Sequence, residues 1–403
     1  MSMSRRGYAL SFIVAVSTLS TSLPVCALRP FTSGPSRGES QTARSPLQVP
    51  AQFSTIQAAV NAADPGDTIQ ISAGTYVEQI TINKNLRLLG SGADENDDHE
   101  SQRKTADTDS TVIKAPTTLL PGSFGRTVIV DIRNGAKVTI SNLTVMGPGS
   151  GSCAGGSLFA GILVVEDATL NLNSAAVTQI HDTPSADCGR SGAAIRIGER
   201  PSMSTGHATI HDVSIRDYQF TGIAVLNPGS TATITDNTIS GFGPLVGVNP
   251  FGITIIDAVA TISHNKIGRN FCTIPNCGPD PINQFQAVGI AVNGAIAPGT
   301  VIAYNDVFNN DVGIYLINAP DCCTVDHNRL TDNRFFGLLI QDGNNTASHD
   351  RIIGGDVGVG VVADTADTVG TLRDEEIAKT SVAPVKEISC CGFKAKAIVL
   401  NDE

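Results

Sequence analysis

The chain has 403 residues, with 27 Lys and Arg against 38 Asp and Glu, a formal net charge of -11 and only 16% charged positions. With no cationic run longer than a pair such as Arg103-Lys104, it offers nucleic acid or an anionic membrane surface no complementary field. Aromatics are 5% and tryptophan is absent, so packing falls to Ile, Val, Leu and Ala, a composition that favours sheet.

The N-terminus reads as an export signal. Arg5-Arg6 precede an apolar run from Ala9 to Val16, and Val25-Cys26-Ala27 follows at cleavage-site spacing. Ser4-Arg5-Arg6-Gly7-Tyr8 also resembles a twin-arginine signal, which leaves the export route open. Residues 1–27 are expected to be a signal peptide, 28–50 a flexible linker and 51–403 one domain, in a protein exported to the periplasm or secreted. No later apolar run reaches the roughly 18 residues that read as a transmembrane span.

The mature part opens on an amphipathic helix. Ser54 is placed to cap it, Ile56, Ala59 and Val60 share one face, and Asp64-Pro65-Gly66 ends it. Further on, Asp94 to Glu100 alternates acids like half a calcium loop. The glycine and distal Glu of an EF-hand are missing, so a solvated loop is expected.

From there a phrase of Gly followed by an apolar residue recurs, at Gly161-Ile162, Gly222-Ile223, Gly252-Ile253, Gly289-Ile290, Gly313-Ile314, Gly337-Leu338 and Gly360-Val361. The last four copies are spaced by 24, 24 and 23 residues. A second phrase follows each, Thr-apolar-x-x-Asn-x-apolar, clearest around Asn237, Asn265 and Asn328, with Asn305, Asp350 and Glu375 in looser copies. Short strands at this period cannot bury their apolar face alone. They must stack, parallel strand on parallel strand, at about 4.8 Å per turn. The predicted fold is all-β, a single-stranded right-handed parallel β-helix with an N-terminal capping helix; the hand follows from the chirality of parallel crossovers. The Asn column is assigned to the tight bend, where a left-handed residue is wanted and stacked amides can bond along the axis.

Phe53-Ser54-Thr55-Ile56-Gln57-Ala58-Ala59-Val60, Gly66-Asp67-Thr68-Ile69, Gly74-Thr75-Tyr76 and Leu88-Leu89-Gly90 resemble the entry segment of pectin-lyase-like right-handed β-helix proteins. The resemblance covers roughly residues 50 to 400 and implies the fold. That superfamily holds polysaccharide lyases, hydrolases, esterases, epimerases and tailspikes, so function must come from the site. Pectin methylesterases combine Gln-Ala-Val, Gln-Asp, a nucleophile segment Asp-Phe-Ile-Phe-Gly and Arg-Pro-Trp; this chain offers Gln286-Ala287-Val288 and Gln341-Asp342, but neither the nucleophile segment nor any tryptophan. The Gly-His-Gly of polygalacturonases and the Asp-Pro-His of alginate epimerases are absent. Lyases that use Ca2+ follow no compact motif. They need acids that hold the ion, and an Arg or Lys base, on adjacent turns.

With the residue after each Gly inward, the outward neighbours read Leu163, Arg196, Ala224, Thr254, Ala291, Tyr315, Leu339 and Val362, with Asp364 closing the next column. A face this apolar should be covered. Inserts at 147–160, 178–192, 240–251 and 268–288 are the available cover, and loop inserts are where solenoids carry function. His181, Asp182, Asp187 and Arg190, with Arg196 and Glu199 on the next strand, are the candidate ligand-binding residues. Before the Asn column, His327 and His349 fall on adjacent turns and are the candidate metal ligands.

Cys26 leaves with the signal, and the remaining even count in an exported chain suggests disulfides rather than zinc. Cys153 with Cys188 and Cys272 with Cys277 are the expected bridges. Cys322-Cys323 and Cys390-Cys391 lie about three turns, or about 14 Å, apart by strand spacing, so they meet only if the tail folds back; otherwise each pair bonds within itself and Ala397-Ile398-Val399-Leu400 forms a last strand. Two functions remain, a non-catalytic surface or polysaccharide-binding solenoid, or a Ca2+-dependent lyase-like or other carbohydrate-active enzyme acting on an extracellular glycan.

Overall fold

Three short strands and their bends make one turn of the chain, and each turn hydrogen-bonds in parallel to the next. The computed structural model describes residues 44–93, 109–149, 157–182, 191–241, 247–294 and 299–401. Among them, an 11-stranded parallel sheet runs from Ile80–Ile82 to Ala383–Ser389, and the other two strands of each turn belong to a 22-stranded sheet. A representative turn is Phe251–Ile256, Val259–Ser263 and Lys266–Gly268.

In the 11-stranded sheet Ile223, Ile253, Ile290, Ile314 and Leu338 are successive register partners, each 0% exposed. Val130, Ile162 and Ile195 extend the column upward. One expected member moves. Leu338 pairs with Val359, not Val361, so the last copy of the phrase is Gly358-Val359 and the spacing shortens by two residues. Gly358-Val359-Gly360-Val361 fits the pattern in either frame, and ladder bonding selects the earlier one. Gly360 therefore lies beside Leu339, Val362 beside Gln341, and Asp364 falls in the bend beyond.

The bends also differ from expectation. The left-handed residues are those just before the Asn column: Asp236, His264, Tyr304, His327, His349 and Asp374, with φ between 51° and 59°. Turning the chain one residue earlier leaves each Asn free to aim its amide inward. Asn237 donates to Asn265 (2.9 Å), Asn265 to Asn305 (3.0 Å), Asn305 to Asn328 (3.0 Å) and Asn328 to Asp350 Oδ1 (3.0 Å). Each side-chain oxygen also accepts the backbone N–H of its predecessor, so buried donors along this edge are paired. A second ladder, Asn270 to Asn310 to Asn333, runs beside it, with the Tyr218 hydroxyl donating to Asn270 at 2.7 Å. At the lower end Asp350 and Glu375 continue the first column as acids; Asp350 Oδ2 and both Glu375 oxygens have no hydrogen-bond partner among the described residues. Burial pushes both carboxyls well above the usual carboxylate range.

The helix α1 (Ile56–Ala62) covers the upper end and buries Ile56, Ala59 and Val60. Its cap is Thr55, whose hydroxyl accepts from Ala58 N, and not Ser54. The Glu78 carboxylate takes the next two N–H groups, those of Ile56 (2.8 Å) and Gln57 (2.9 Å), which suits the positive end of a helix. Strand pairing begins at Leu47–Val49 against Thr68–Ile71, inside the stretch read as linker. At the other end Ala395–Leu400 pairs with Thr368–Arg373 as one more strand. The tail does not fold back, and Cys322–Cys323 and Cys390–Cys391 each bond within the pair. Cys153 and Cys188 lie outside the described residues.

Truncating Ile290 to Ala is expected to cost about 2–5 kcal/mol, the range for a large buried aliphatic, read as a lower urea midpoint. Asn305→Ala removes the acceptor of both Asn265 donors and should cost about 1–3 kcal/mol for each group left unpaired; Asn171→Ala, on the exposed face of the same sheet, should change the midpoint little.

Candidate functional site

The outward column of the 11-stranded sheet is apolar and covered. Leu163, Ala224, Ala291, Tyr315 and Leu339 are all buried, as are Arg196 and Thr254. Near the top, Leu163, Phe159, Val128 and Val165 form a small apolar cluster. The Phe159 ring lies under two guanidinium groups, Arg126 at 4.3 Å and Arg196 at 4.7 Å. Glu199 holds both: Oε1 accepts from Arg126 at 2.6 Å and Oε2 from Arg196 at 2.8 Å. The structure thus brings Arg196 and Glu199 together, and adds Arg126, which sequence spacing gave no reason to place beside them. Each carboxylate oxygen has its own cation, so the group is a closed clamp. Asp131 is engaged through one oxygen only: Oδ2 accepts from the Ser123 N–H and hydroxyl at 2.9 Å each, while the buried Oδ1 has no hydrogen-bond partner among the described residues.

His181 and Asp182 end the long strand Ala168–Ile180. Asp182 is buried, its Oδ1 accepts the Leu158 N–H at 2.8 Å, and its own N–H donates to Gln219 Oε1 at 3.1 Å. Burial raises its carboxyl above the usual range. The His181 Nδ1 lies 3.0 Å from the Asp182 carbonyl oxygen. Asp187 and Arg190 lie outside the described residues.

The insert at 272–287 is held at its base by one residue. Asp311 Oδ2 accepts both the Cys272 N–H (2.8 Å) and the Ala287 N–H (3.1 Å), where the insert leaves and rejoins the helix. Arg334 lies 3.8 Å from the other oxygen, and burial pushes the carboxyl above the usual range. Cys272 and Cys277 are at disulfide distance, with Cα atoms 5.8 Å apart. Gln286 ties the loop internally, donating to the carbonyls of Gly278 and Gln284. Asp280 accepts from the Asn283 side chain at 2.9 Å and from two backbone N–H groups, which lowers its carboxyl.

This loop lays Ile282 on the outward apolar cluster around Tyr315 and Leu339, and Ile388 of the last strand packs on the same cluster. Between the two an open cleft of about 650 Å³ remains, with Pro279 to Asn283 on one wall and Lys386 to Cys390 on the other. The Tyr315 hydroxyl donates to Gln341 Oε1, and the bend below is held by Asp342. Its Oδ1 accepts the N–H groups of Asp364, Thr365 and Ala366; although burial opposes the charge, these bonds hold the carboxyl low. Sequence reasoning found the insert and its disulfide but not Asp311, Lys386 or the second wall. A single Asp on a distant turn carries no local signal of what it staples.

His327 and His349 are also brought together. Their rings stack at 4.6 Å on the outer bend, and Asp326 lies between their Nδ1 atoms, at 2.7 Å and 2.8 Å.

The family described as right handed beta helix region matches residues 202–370. No curated protein matches the sequence. Among solved structures, the chain is similar to the periplasmic alginate epimerase AlgG, with a TM-score of 0.50 at 12% identity over 83% of this chain and 77% of that one. It is also similar to the GH136 lacto-N-biosidase from Eubacterium ramulus, with a TM-score of 0.53 at 13% identity over 86% of this chain. The match spans 64% of that enzyme, just under two thirds of its length. Identities this low carry the fold and not the chemistry. Parallel pairing between the strands of successive turns among the described residues, an inward aliphatic column and stacked amides at the bends agree with both comparisons: the chain is a right-handed parallel β-helix protein.

Proposed function

We propose that this is an exported β-helix that binds an extracellular polysaccharide in the cleft between the 279–283 loop and residues 386–390 at the end of the Ala383–Ser389 strand, without cleaving it. The observation that carries the reading is the state of the cleft's carboxylates. A calcium-dependent lyase needs two acids free to hold the ion beside a base. Both Asp280 oxygens accept bonds from its own loop, and Glu387 accepts the Ala397 N–H at 2.7 Å. Lys386 on the opposite wall, near enough to help lower Asp280, then supplies a cation for a glycan's acidic or hydroxyl groups. Pro279, Pro281 and Ile282 give the cleft an apolar side against which a sugar ring can lie. The two solved structures named above are an alginate epimerase and a lacto-N-biosidase, which supports a glycan as the ligand.

Calorimetry against a panel of uronate-rich and neutral polysaccharides tests the proposal. Binding to at least one member is expected, and Lys386→Ala should weaken it about tenfold or more, the worth of one hydrogen bond to a charged group. Steady formation of unsaturated products with calcium present would replace this reading with a lyase.

The loop staple gives a second expectation. Because burial raises the Asp311 carboxyl in the folded protein, the folded state holds more protons than the unfolded one above the ordinary carboxylate pKa of about 3.9. Stability from this group is therefore present in acid and lost as pH rises through its folded value. Asp311→Asn keeps an oxygen for both N–H groups and should flatten the fall in melting temperature from acid to neutral pH, while Asp311→Ala should lower it at every pH.

A further inference from the structure

On the outer edge of the helix the left-handed bend residues His264, Tyr304, His327 and His349 rise one above another, ring on ring, with centroids 5.4, 5.0 and 4.6 Å apart. The backbone sets this spacing, because each ring hangs from the same bend of successive turns. Asp326, the residue before His327, turns its carboxylate into the gap between the two lower rings. Its Oδ2 is 2.7 Å from His327 Nδ1 and its Oδ1 2.8 Å from His349 Nδ1. The three donor atoms all lie within 4.8 Å of one another.

We propose that Asp326, His327 and His349 form a binding site for one divalent first-row transition-metal ion of the zinc class, held by two imidazole nitrogens and one carboxylate oxygen. The donor set is right for such an ion: two neutral imidazoles and a carboxylate suit zinc, copper or nickel, whereas calcium and magnesium prefer oxygen alone. The geometry is close to that required. Ligand bonds of about 2.0–2.1 Å arranged tetrahedrally put donor atoms roughly 3.3 Å apart, so each His–Asp contact, now 2.7–2.8 Å, has to open by about half an ångström while the two imidazoles turn toward one shared carboxylate oxygen.

The surroundings fix the ligands in the manner of outer-shell partners. The Ser348 hydroxyl donates to Asp326 Oδ1 at 2.8 Å, Asp374 Oδ2 faces His349 Nε2 at 3.9 Å, and Tyr304 stacks on the His327 ring. Both imidazoles are about half exposed, His327 at 44% and His349 at 49%, so the remaining coordination positions open to solvent. There water or an anionic oxygen of a ligand completes the shell. This site is separate from the cleft and does not depend on what the cleft binds.

The test uses the chain without a histidine tag, disulfides intact, stripped with a chelator and then titrated with Zn2+ by calorimetry and with Co2+ by visible absorbance. One ion per chain and a cobalt ligand-field band are expected. His349→Gln and Asp326→Asn should each weaken Zn2+ binding about tenfold or more, the effect of losing even an orienting partner, while His207→Gln, on a different column, leaves it unchanged. Circular dichroism of the variants shows that the fold is retained. Absence of a specific cobalt band, or a His349→Gln chain that binds Zn2+ as the parent does, would overturn the proposal and leave a plain His-Asp-His hydrogen-bonded triad.

Discussion

Every feature of this molecule answers to one constraint: each turn must hydrogen-bond in parallel, in register, to the turn above and the turn below. Side chains then meet their equivalents every 4.7–4.9 Å, and interior columns favour residues that pack or bond on others of their own kind. Aliphatics do, which is why one column runs through Ile223, Ile253, Ile290 and Ile314. Amides do as well, because Asn both donates and accepts and can pass the pairing on. Where Asp350 and Glu375 take the place of Asn, Asp350 accepts from Asn328 but no bond continues to Glu375, and the pairing stops with them.

The same constraint separates structure from chemistry. Inside, the register leaves no freedom; outside, each bend and insert can vary without disturbing the stack. The ionisable groups that look most suggestive, Arg126, Arg196 and Glu199, turn out to be engaged in holding cover onto the sheet. Those left with reach toward solvent lie at the rim, on Lys386 and on the outer bends. Binding sites on such a body are therefore edge features, built from side chains of different turns that the register brings level.

How much of this could be read from the residues follows from what repeats. The aliphatic column and the capping helix were legible because periodicity betrays them. So is the Asn column, although the bend itself falls one residue before it, because Asp, His and Tyr here adopt the left-handed backbone that Asn also tolerates. The second amide ladder carried a signal that went unread: Asn270, Asn310 and Asn333 each follow a member of the first column by five residues. The pairing of His327 with His349 was visible as a column, but Asp326 between them was not. The Arg196–Glu199 half of the clamp is legible as neighbours in sequence, whereas Arg126 and the Asp311 staple carry no signal, because each joins residues from turns whose inserts differ in length.

The cleft has one wall on an insert and the other on the last strand of the same sheet, with the turns that begin at Val312, Phe336 and Val357 between them. Its breadth is therefore counted in whole strands. Duplication or loss of a single turn of coding sequence would move the walls by one strand spacing of about 4.8 Å without altering either wall, so such a body can match ligands of different length by the number of turns it carries.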